Sequence, residues 1–167
     1  MPETADARLA PFLDAYEREH ATTRKVLGAY PAAQADFKPH ERSNTAKTLA
    51  WTFVIEERML LLAITEGEVL GKAFIAPPAT WDEQLATFDA QSAELVAALR
   101  TATTPQLERS VQFFSGPQQL GDYPMMDFLW FILHDQIHHR GQLSVYLRMV
   151  GGHVPSIYGP SADEPWR

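Results

Sequence analysis

The chain has 167 residues, 46% of them hydrophobic and 21% charged, which is enough to bury a core as one domain over residues 1–167. Its net charge of −7 at pH 7 and its singly scattered Lys and Arg residues argue against nucleic acid or an anionic membrane surface as a partner. The absence of cysteine excludes a disulfide framework, a thiolate nucleophile and a thiolate metal site.

The beginning of the sequence does not have the pattern of a secretory signal. Residues 1–8 contain Glu3 and Asp6 and lack a basic start followed by an apolar core. Elsewhere, charged residues interrupt every apolar stretch well short of the ~20 residues that a membrane span needs. We therefore expect a soluble, cytoplasmic protein that binds neither membranes nor nucleic acid.

Helical periodicity extends over most of the chain, and its first two segments predict two long helices. The first runs from about Leu9 to Leu27. After a proline-containing connection, residues 43–45 offer N-cap chemistry for a second helix, which closes near Gly67.

A third helix is predicted from Trp81 to about Ala102, and a fourth from Pro124 to the glycine pair at 151–152. The third begins at a capping box, in which Thr80 is the N-cap and Glu83 lies three residues later. Between them the periodicity breaks up, and residues 110–114 form either a short strand or an irregular loop. The proline-rich residues 153–167 predict an irregular tail. This pattern predicts an all-α fold, a four-helix bundle with an irregular segment between helices three and four.

The most informative motif is the sequence HDQIHHRGQ at residues 134–142, inside the fourth helix. His134 and His138 are four residues apart, so on a helix both imidazoles project from one face. This spacing suits two ligands of a single metal ion, and equally two interior histidines beside a polar seam. Gly141, which costs about 1 kcal/mol against Ala in a helix, suggests a close approach of another helix or a ligand.

The apolar positions of the fourth helix predict which of its faces is buried. They place His134 and His138 on the same side as the apolar residues Leu129, Ile132, Leu133, Ile137, Val145 and Met149. The same helical positions place His139 and Arg140 off this apolar face, so they are predicted to be surface or interface groups.

Several blocks of the sequence resemble one known family. Residues 133–143, continuing into 146–148, closely resemble the last helix of the DinB/YfiT-like superfamily. Residues 154–164 are similar to the C-terminal end of one branch of that family, and residues 22–27 and 37–43 to its first helix and following loop. The likeness covers most of the chain in order.

The resemblance implies a four-helix bundle, usually a homodimer, with a divalent metal bound by three histidines. Two of these match His134 and His138. The third belongs to a Leu-Ala-x-His pattern on the second helix, which here reads LAWT at residues 49–52, so Thr52 stands at the ligand position. This chain therefore departs from its family at one of the three ligands.

The departure predicts a divalent metal, Zn or Ni, that is weakly bound or absent, because a threonine hydroxyl is a poor zinc ligand. Glu56 is four residues after Thr52 on the same helical face and offers a substitute carboxylate, in a set that also suits Mn or Fe. Glu56 could equally be a surface carboxylate, or pair with Arg58 or with a histidine of helix four. His20 and His153 are further conceivable ligands.

Two functions of different classes follow. In one, the chain is a small-molecule-binding or stress-associated protein that has lost or weakened its metal. In the other, as the resemblance implies, it is a metal-dependent enzyme of the thiol-transferase or hydrolase type. A metal held by His134, His138 and a substitute ligand would then activate a low-molecular-weight thiol or water.

Overall fold

The computed structural model of the chain describes residues 6–167, and this range is mostly helical. Its α-helices are α1 (Leu9–Ala29), α2 (Ala46–Glu66), α3 (Trp81–Thr101), the short α4 (Thr104–Leu107) and α5 (Met125–Met149). The four long helices confirm the four predicted ones, and a 3-10 turn at Ala32–Gln34 follows α1. No helix in the described range is long and apolar enough to cross a membrane.

The segment between the third and fourth long helices is not irregular but forms a β-hairpin. Strand β1 (Ser110–Gly116) pairs antiparallel with β2 (Gln119–Pro124), with Val111 opposite Tyr123 and Phe113 opposite Gly121. Val111 and Phe113 are buried while their neighbours are exposed, which is the two-residue period of a half-buried strand. The strand alternative for residues 110–114 is therefore confirmed, and the all-α prediction is corrected by this small sheet.

The helix ends follow local capping chemistry, as predicted. The Thr45 hydroxyl accepts a hydrogen bond from the Thr48 backbone N–H at 3.3 Å, and α2 ends at Gly67, whose φ of 74° is left-handed. At α3 the Thr80 hydroxyl accepts from the Glu83 N–H, and the Glu83 carboxylate accepts from the Thr80 N–H. These bonds satisfy backbone groups that a helix end otherwise leaves unpaired.

Helix α2 lies between two neighbours, because it packs against both α3 and α5. Helix α1 contacts α5 and α3 on the remaining side, so each long helix buries one or two faces against others. The most deeply buried large side chains come from all four long helices and include Phe12, Phe53, Phe88 and Phe128. This packing brings one face of α2 against one face of α5, where the polar groups discussed below meet.

Arg140 on α5 is 1% exposed, which contradicts its predicted surface or interface position. Its guanidinium lies 2.7 Å from the Glu19 carboxylate and donates hydrogen bonds to the hydroxyls of Thr23 and Tyr158. A buried arginine is tolerated when its donors are paired in this way. The contact with Tyr158 also ties the C-terminal tail to the helices.

The tail after α5 has no regular secondary structure, as predicted, but it is well connected. The Arg148 guanidinium lies 2.6 Å from the Asp163 carboxylate. The Glu164 carboxylate accepts a hydrogen bond from the Ser156 backbone N–H at 2.7 Å. The Ser161 hydroxyl donates to the Val154 carbonyl at 2.6 Å, so side chains of the tail satisfy its own backbone.

Candidate metal centre

His134 and His138 are exposed on the outer face of α5, so their predicted position on the buried face is wrong. The His138 Nε2 atom lies 2.8 Å from the side-chain amide of Gln142 on the same helix. Val145 and Met149, assigned to the same face, are 57% and 55% exposed. The physical reason is that the buried face of α5 includes the polar residues Gln136 and Arg140, which an apolar-residue count places outside.

A different set of side chains meets between α2 and α5. Glu56 of α2 and the pair Asp135 and His139 of α5 place one potential ligand atom each within 4.8 Å of one another. The His139 Nδ1 atom lies 2.8 Å from Glu56 Oε1 and 4.0 Å from Asp135 Oδ1. His139, predicted at the surface or an interface, is therefore part of a half-buried polar cluster, which we call the Glu56 cluster.

Glu56 is 2% exposed, and burial raises the pKa of its carboxyl group from 4.5 to about 8. The hydrogen bond from His139 acts in the opposite direction, and the same bond raises the pKa of His139. The second carboxylate oxygen of Glu56, Oε2, is buried and finds no hydrogen-bond partner among residues 6–167. An unpaired buried acceptor of this kind costs about 1–3 kcal/mol, so the cluster is incomplete as it stands.

The donor set of the Glu56 cluster fits a divalent cation. It combines two carboxylates with one imidazole, and carboxylates together with imidazole are ligands for Mn, Fe and Zn. The unpartnered Glu56 Oε2 is an oxygen that a cation would satisfy. Glu56, the predicted substitute ligand, therefore lies beside one histidine and one further carboxylate, His139 and Asp135, and not beside the predicted pair of histidines.

The other residues considered as ligands lie elsewhere or play other roles. His20 stacks on Phe88 at a ring distance of 4.4 Å, and His153 lies in the tail, 3.2 Å from Glu164. Arg58 does not pair with Glu56 but donates a hydrogen bond to the Lys72 carbonyl. Glu56 pairs with His139, which confirms the alternative that it pairs with a histidine of the fourth long helix.

A cavity of about 240 Å³ adjoins the Glu56 cluster, and Thr52, Glu56 and Asp135 are among its lining residues. The rest of its lining is mostly apolar: Thr48, Trp51, Ile55, Met59, Phe74, Phe113 and Ile132. The Thr52 hydroxyl donates to the Thr48 carbonyl at 3.2 Å. Thr52 therefore lies in the same cavity as two members of the cluster, and we call this space the metal-site cavity.

A second buried carboxylate, Glu57, was not singled out by the sequence analysis. It is fully buried and accepts hydrogen bonds from the Tyr16 hydroxyl and, at 3.4 Å, from the Gln136 amide. The Tyr16 hydroxyl also lies 2.9 Å from Ser92 Oγ, so this network joins all four long helices. Its members are paired with one another, which indicates a role in holding the helices in register.

The raised pKa values predict how stability depends on pH in the metal-free protein. Because the pKa values of Glu56 and His139 are both raised, these two groups bind more protons in the folded chain than in the unfolded chain above pH 4.5. The free energy of unfolding should therefore fall as pH rises from 4.5 to about 8. Urea titrations with EDTA across this range should show the fall and a clearly smaller one in Glu56→Gln. If the free energy of unfolding falls equally with pH in both proteins, groups other than Glu56 cause its pH dependence.

Four long helices with a carboxylate–histidine cluster between two of them define a helical protein with a candidate divalent-metal centre. The profile of the DinB family matches residues 1–166, and the chain belongs to that family, which confirms the resemblance. The Bacillus subtilis protein YrdA is 28% identical over 155 residues, which cover 92% of this chain and 89% of YrdA.

Solved structures of DinB-like proteins have the same fold. A DinB-like protein from Bacillus cereus ATCC 10987 superimposes with a TM-score of 0.73 at 24% identity, covering 95% of this chain and all of that one. The DinB-like protein YjoA of Bacillus subtilis gives a TM-score of 0.69 at 19% identity, covering 94% of this chain and 99% of YjoA. At these identities the similarity establishes the fold.

Proposed function

We propose that this DinB-family chain binds a divalent cation through Glu56, Asp135 and His139 and holds a small molecule in the metal-site cavity. The observation that carries the proposal is the buried Glu56 Oε2, which lacks a partner beside two further ligand groups. In this proposal the cation is not held by His134 and His138. Thr52 stands where the family pattern has a histidine ligand. In this proposal the Glu56 carboxylate, one helical turn later on α2, serves as a ligand in place of that histidine.

The donor set supports Mn, Fe or Zn more than Ni, because two of its three groups are carboxylates. A bound divalent cation supplies Lewis acidity, which lowers the pKa of a thiol or water molecule beside it. The chain's own contribution is to position the ligands: α2 provides Glu56, and α5 provides Asp135 and His139 one turn apart. Most of the residues that line the metal-site cavity are apolar, so the cavity can pack against the apolar part of a small molecule beside the ligand groups.

This arrangement supports a metal-dependent transferase or hydrolase acting on a small molecule, with a low-molecular-weight thiol as a candidate partner. A second candidate is a binding protein without catalysis, which the largely apolar, 240 Å³ metal-site cavity favours. Turnover of thiol-reactive electrophiles by the metal-loaded protein would separate the two.

We also propose that the chain works as a homodimer of four-helix bundles in the cytoplasm, with a stress-associated role as one setting for its chemistry. The family resemblance supports the bundle and the dimer, and the cysteine-free sequence agrees with a cytoplasmic location. Light scattering coupled to gel filtration measures the oligomeric state directly.

Elemental analysis of purified, tag-free protein tests the metal site. After loading and dialysis, we expect about one divalent ion per chain in the parent protein and little in Glu56→Gln or His139→Ala. His138→Ala is the matched control, because it removes the neighbouring imidazole from the exposed face and should keep the metal.

If metal is lost in His138→Ala and kept in Glu56→Gln, the ligands are His134 and His138, and the proposed set is wrong. Absence of metal from the parent protein under all loading conditions would contradict the proposed cation site. Circular dichroism should show unchanged helicity in each variant, so that loss of metal can be separated from loss of fold.

A further inference from the structure

Phe74 is an exposed aromatic residue at the edge of the metal-site cavity. It lies in the connection between α2 and α3 and is one of the residues that line this cavity. Phe74 is 58% exposed, although its neighbour in the chain, Ala73, is fully buried. The fold therefore leaves a large apolar residue mostly in contact with water beside a largely apolar cavity.

The backbone on both sides of Phe74 is hydrogen-bonded to α2. The Arg58 guanidinium donates to the Lys72 carbonyl at 3.0 Å. The Trp51 indole N–H donates to the Ile75 carbonyl at 2.8 Å. These acceptors lie two residues before and one residue after Phe74, and both donors belong to α2. The connection is thus held against the helix, so that Phe74 stays at the cavity while its side chain remains exposed.

The polar residues of the cavity indicate which charge a ligand can carry. The hydroxyls of Thr48 and Thr52 are hydrogen-bonded within α2 and its N-cap. Glu56 and Asp135 are carboxylic acids, and no Lys, Arg or His among residues 6–167 lines this cavity. His139, the nearest group that can carry a positive charge, is bonded to Glu56. An anionic group would lose water here without gaining a cationic partner, which is unfavourable.

The apolar residues of the cavity indicate the shape of the ligand. Three of them are aromatic, namely Trp51, Phe74 and Phe113. Aromatic side chains pack favourably against other rings, either offset-stacked or edge to face. An apolar cavity of about 150 Å³ is large enough to bind benzene. The metal-site cavity, of about 240 Å³, therefore has room for two fused rings.

We propose that the metal-site cavity binds an uncharged molecule with an aromatic ring system, and that Phe74 packs against this ligand on the solvent side. Binding would remove water from the exposed surface of Phe74 and from the apolar residues of the cavity. The inference rests on the proposed function for the place of the small molecule. It adds the chemical class of that molecule and a residue, Phe74, that contributes to its affinity and is not a metal ligand.

The test uses 2-naphthylmethanol as the probe and 2-naphthoate as its matched analogue, which has the same rings and a carboxylate in place of the neutral hydroxymethyl group. Nuclear magnetic resonance of the ¹⁵N-labelled full chain follows the indole N–H signal of Trp51. EDTA is present, so that no cation can hold either probe. We expect a saturable shift with 2-naphthylmethanol and about tenfold weaker binding of 2-naphthoate.

Two variants test the role of Phe74. Phe74→Ala should weaken the binding of 2-naphthylmethanol about tenfold, because it removes an aromatic contact of the ligand. Phe114→Ala is the matched control, since Phe114 is 50% exposed on β1 and does not line the cavity. It should leave the affinity unchanged. Both side chains are exposed, so we expect both variants to fold, and circular dichroism checks this.

Three results would overturn this proposal: equal affinities for the two probes, an unchanged affinity in Phe74→Ala, or no saturable shift up to the solubility limit of 2-naphthylmethanol. Elemental analysis, carried out separately, distinguishes this proposal from the cation site. Phe74→Ala should bind as much metal as the parent protein. A parent that binds metal but not 2-naphthylmethanol would contradict this inference alone. A parent that binds 2-naphthylmethanol but no metal would contradict the cation site alone.

Discussion

Replacing Arg140 by Met should lower the free energy of unfolding by about 3–5 kcal/mol. The Arg140 side chain is 2% exposed and its partner Glu19 is 16% exposed, with 2.7 Å between their charged groups. Met retains much of the apolar stem but leaves the Glu19 carboxylate, Thr23 and Tyr158 without their common donor. For a chain of this length, the expected fall in melting temperature is about 10 °C.

Urea unfolding followed by circular dichroism measures this change, and Arg148→Met is its matched control. Arg148 is on the same helix and pairs with Asp163 at 2.6 Å, but 48% of its side chain is exposed. Exposed ion pairs contribute little, so the control should lose no more than about 1 kcal/mol. Adding Glu19→Gln to Arg140→Met should recover part of the loss, because the uncompensated carboxylate is then gone. Similar losses in both single variants would show that burial of Arg140 has no special energetic role.

Replacing Thr52 by His should raise the affinity for Zn by about 10- to 100-fold. Thr52 lines the metal-site cavity together with Glu56 and Asp135, and it precedes Glu56 by one helical turn. A histidine at this position would add an imidazole, a far better zinc ligand than the hydroxyl that it replaces. Titration calorimetry with Zn and Mn should show a larger gain for Zn, because imidazole favours it.

Thr65→His is the control for this substitution. Thr65 is on the same helix, and its hydroxyl donates to the carbonyl four residues earlier, as that of Thr52 does, but it does not line the metal-site cavity. Its replacement should leave the Zn affinity unchanged. An equal gain in the two variants would indicate nonspecific histidine binding, and no gain in Thr52→His would remove position 52 from the site.

The helices of this protein could be predicted because the signals that define them are local. The Thr80–Glu83 capping box and the glycine at position 67 act within a few residues of the helix end that they mark, so the chain needs no distant contact to show them. The hairpin was harder to predict. Val111 and Phe113 alternate as in a strand, but a strand requires the partner residues 119–124, and pairing cannot be distinguished from a loop over so short a stretch.

The candidate site shows the same division. The sequence contains two overlapping pairs of potential ligands on α5, His134 with His138 and Asp135 with His139, and both have the four-residue spacing of one helical face. The spacing does not show which pair binds a metal, because both pairs have the same spacing and the second is shifted by one residue along the helix. The resemblance favoured the first pair, and the packing of α2 against α5 brings the second next to Glu56.

The sequence by itself therefore determined the family, the long helices, the departure at Thr52 and the candidacy of Glu56. The tertiary structure decided which face of α5 is buried, because that face includes polar Gln136 and Arg140, whose partners belong to distant parts of the chain. It also decided that Glu56 meets His139 and keeps an unpaired oxygen. Periodicity identifies residues that avoid water, but only the assembled fold shows which polar groups are buried with them and which of these lack a partner.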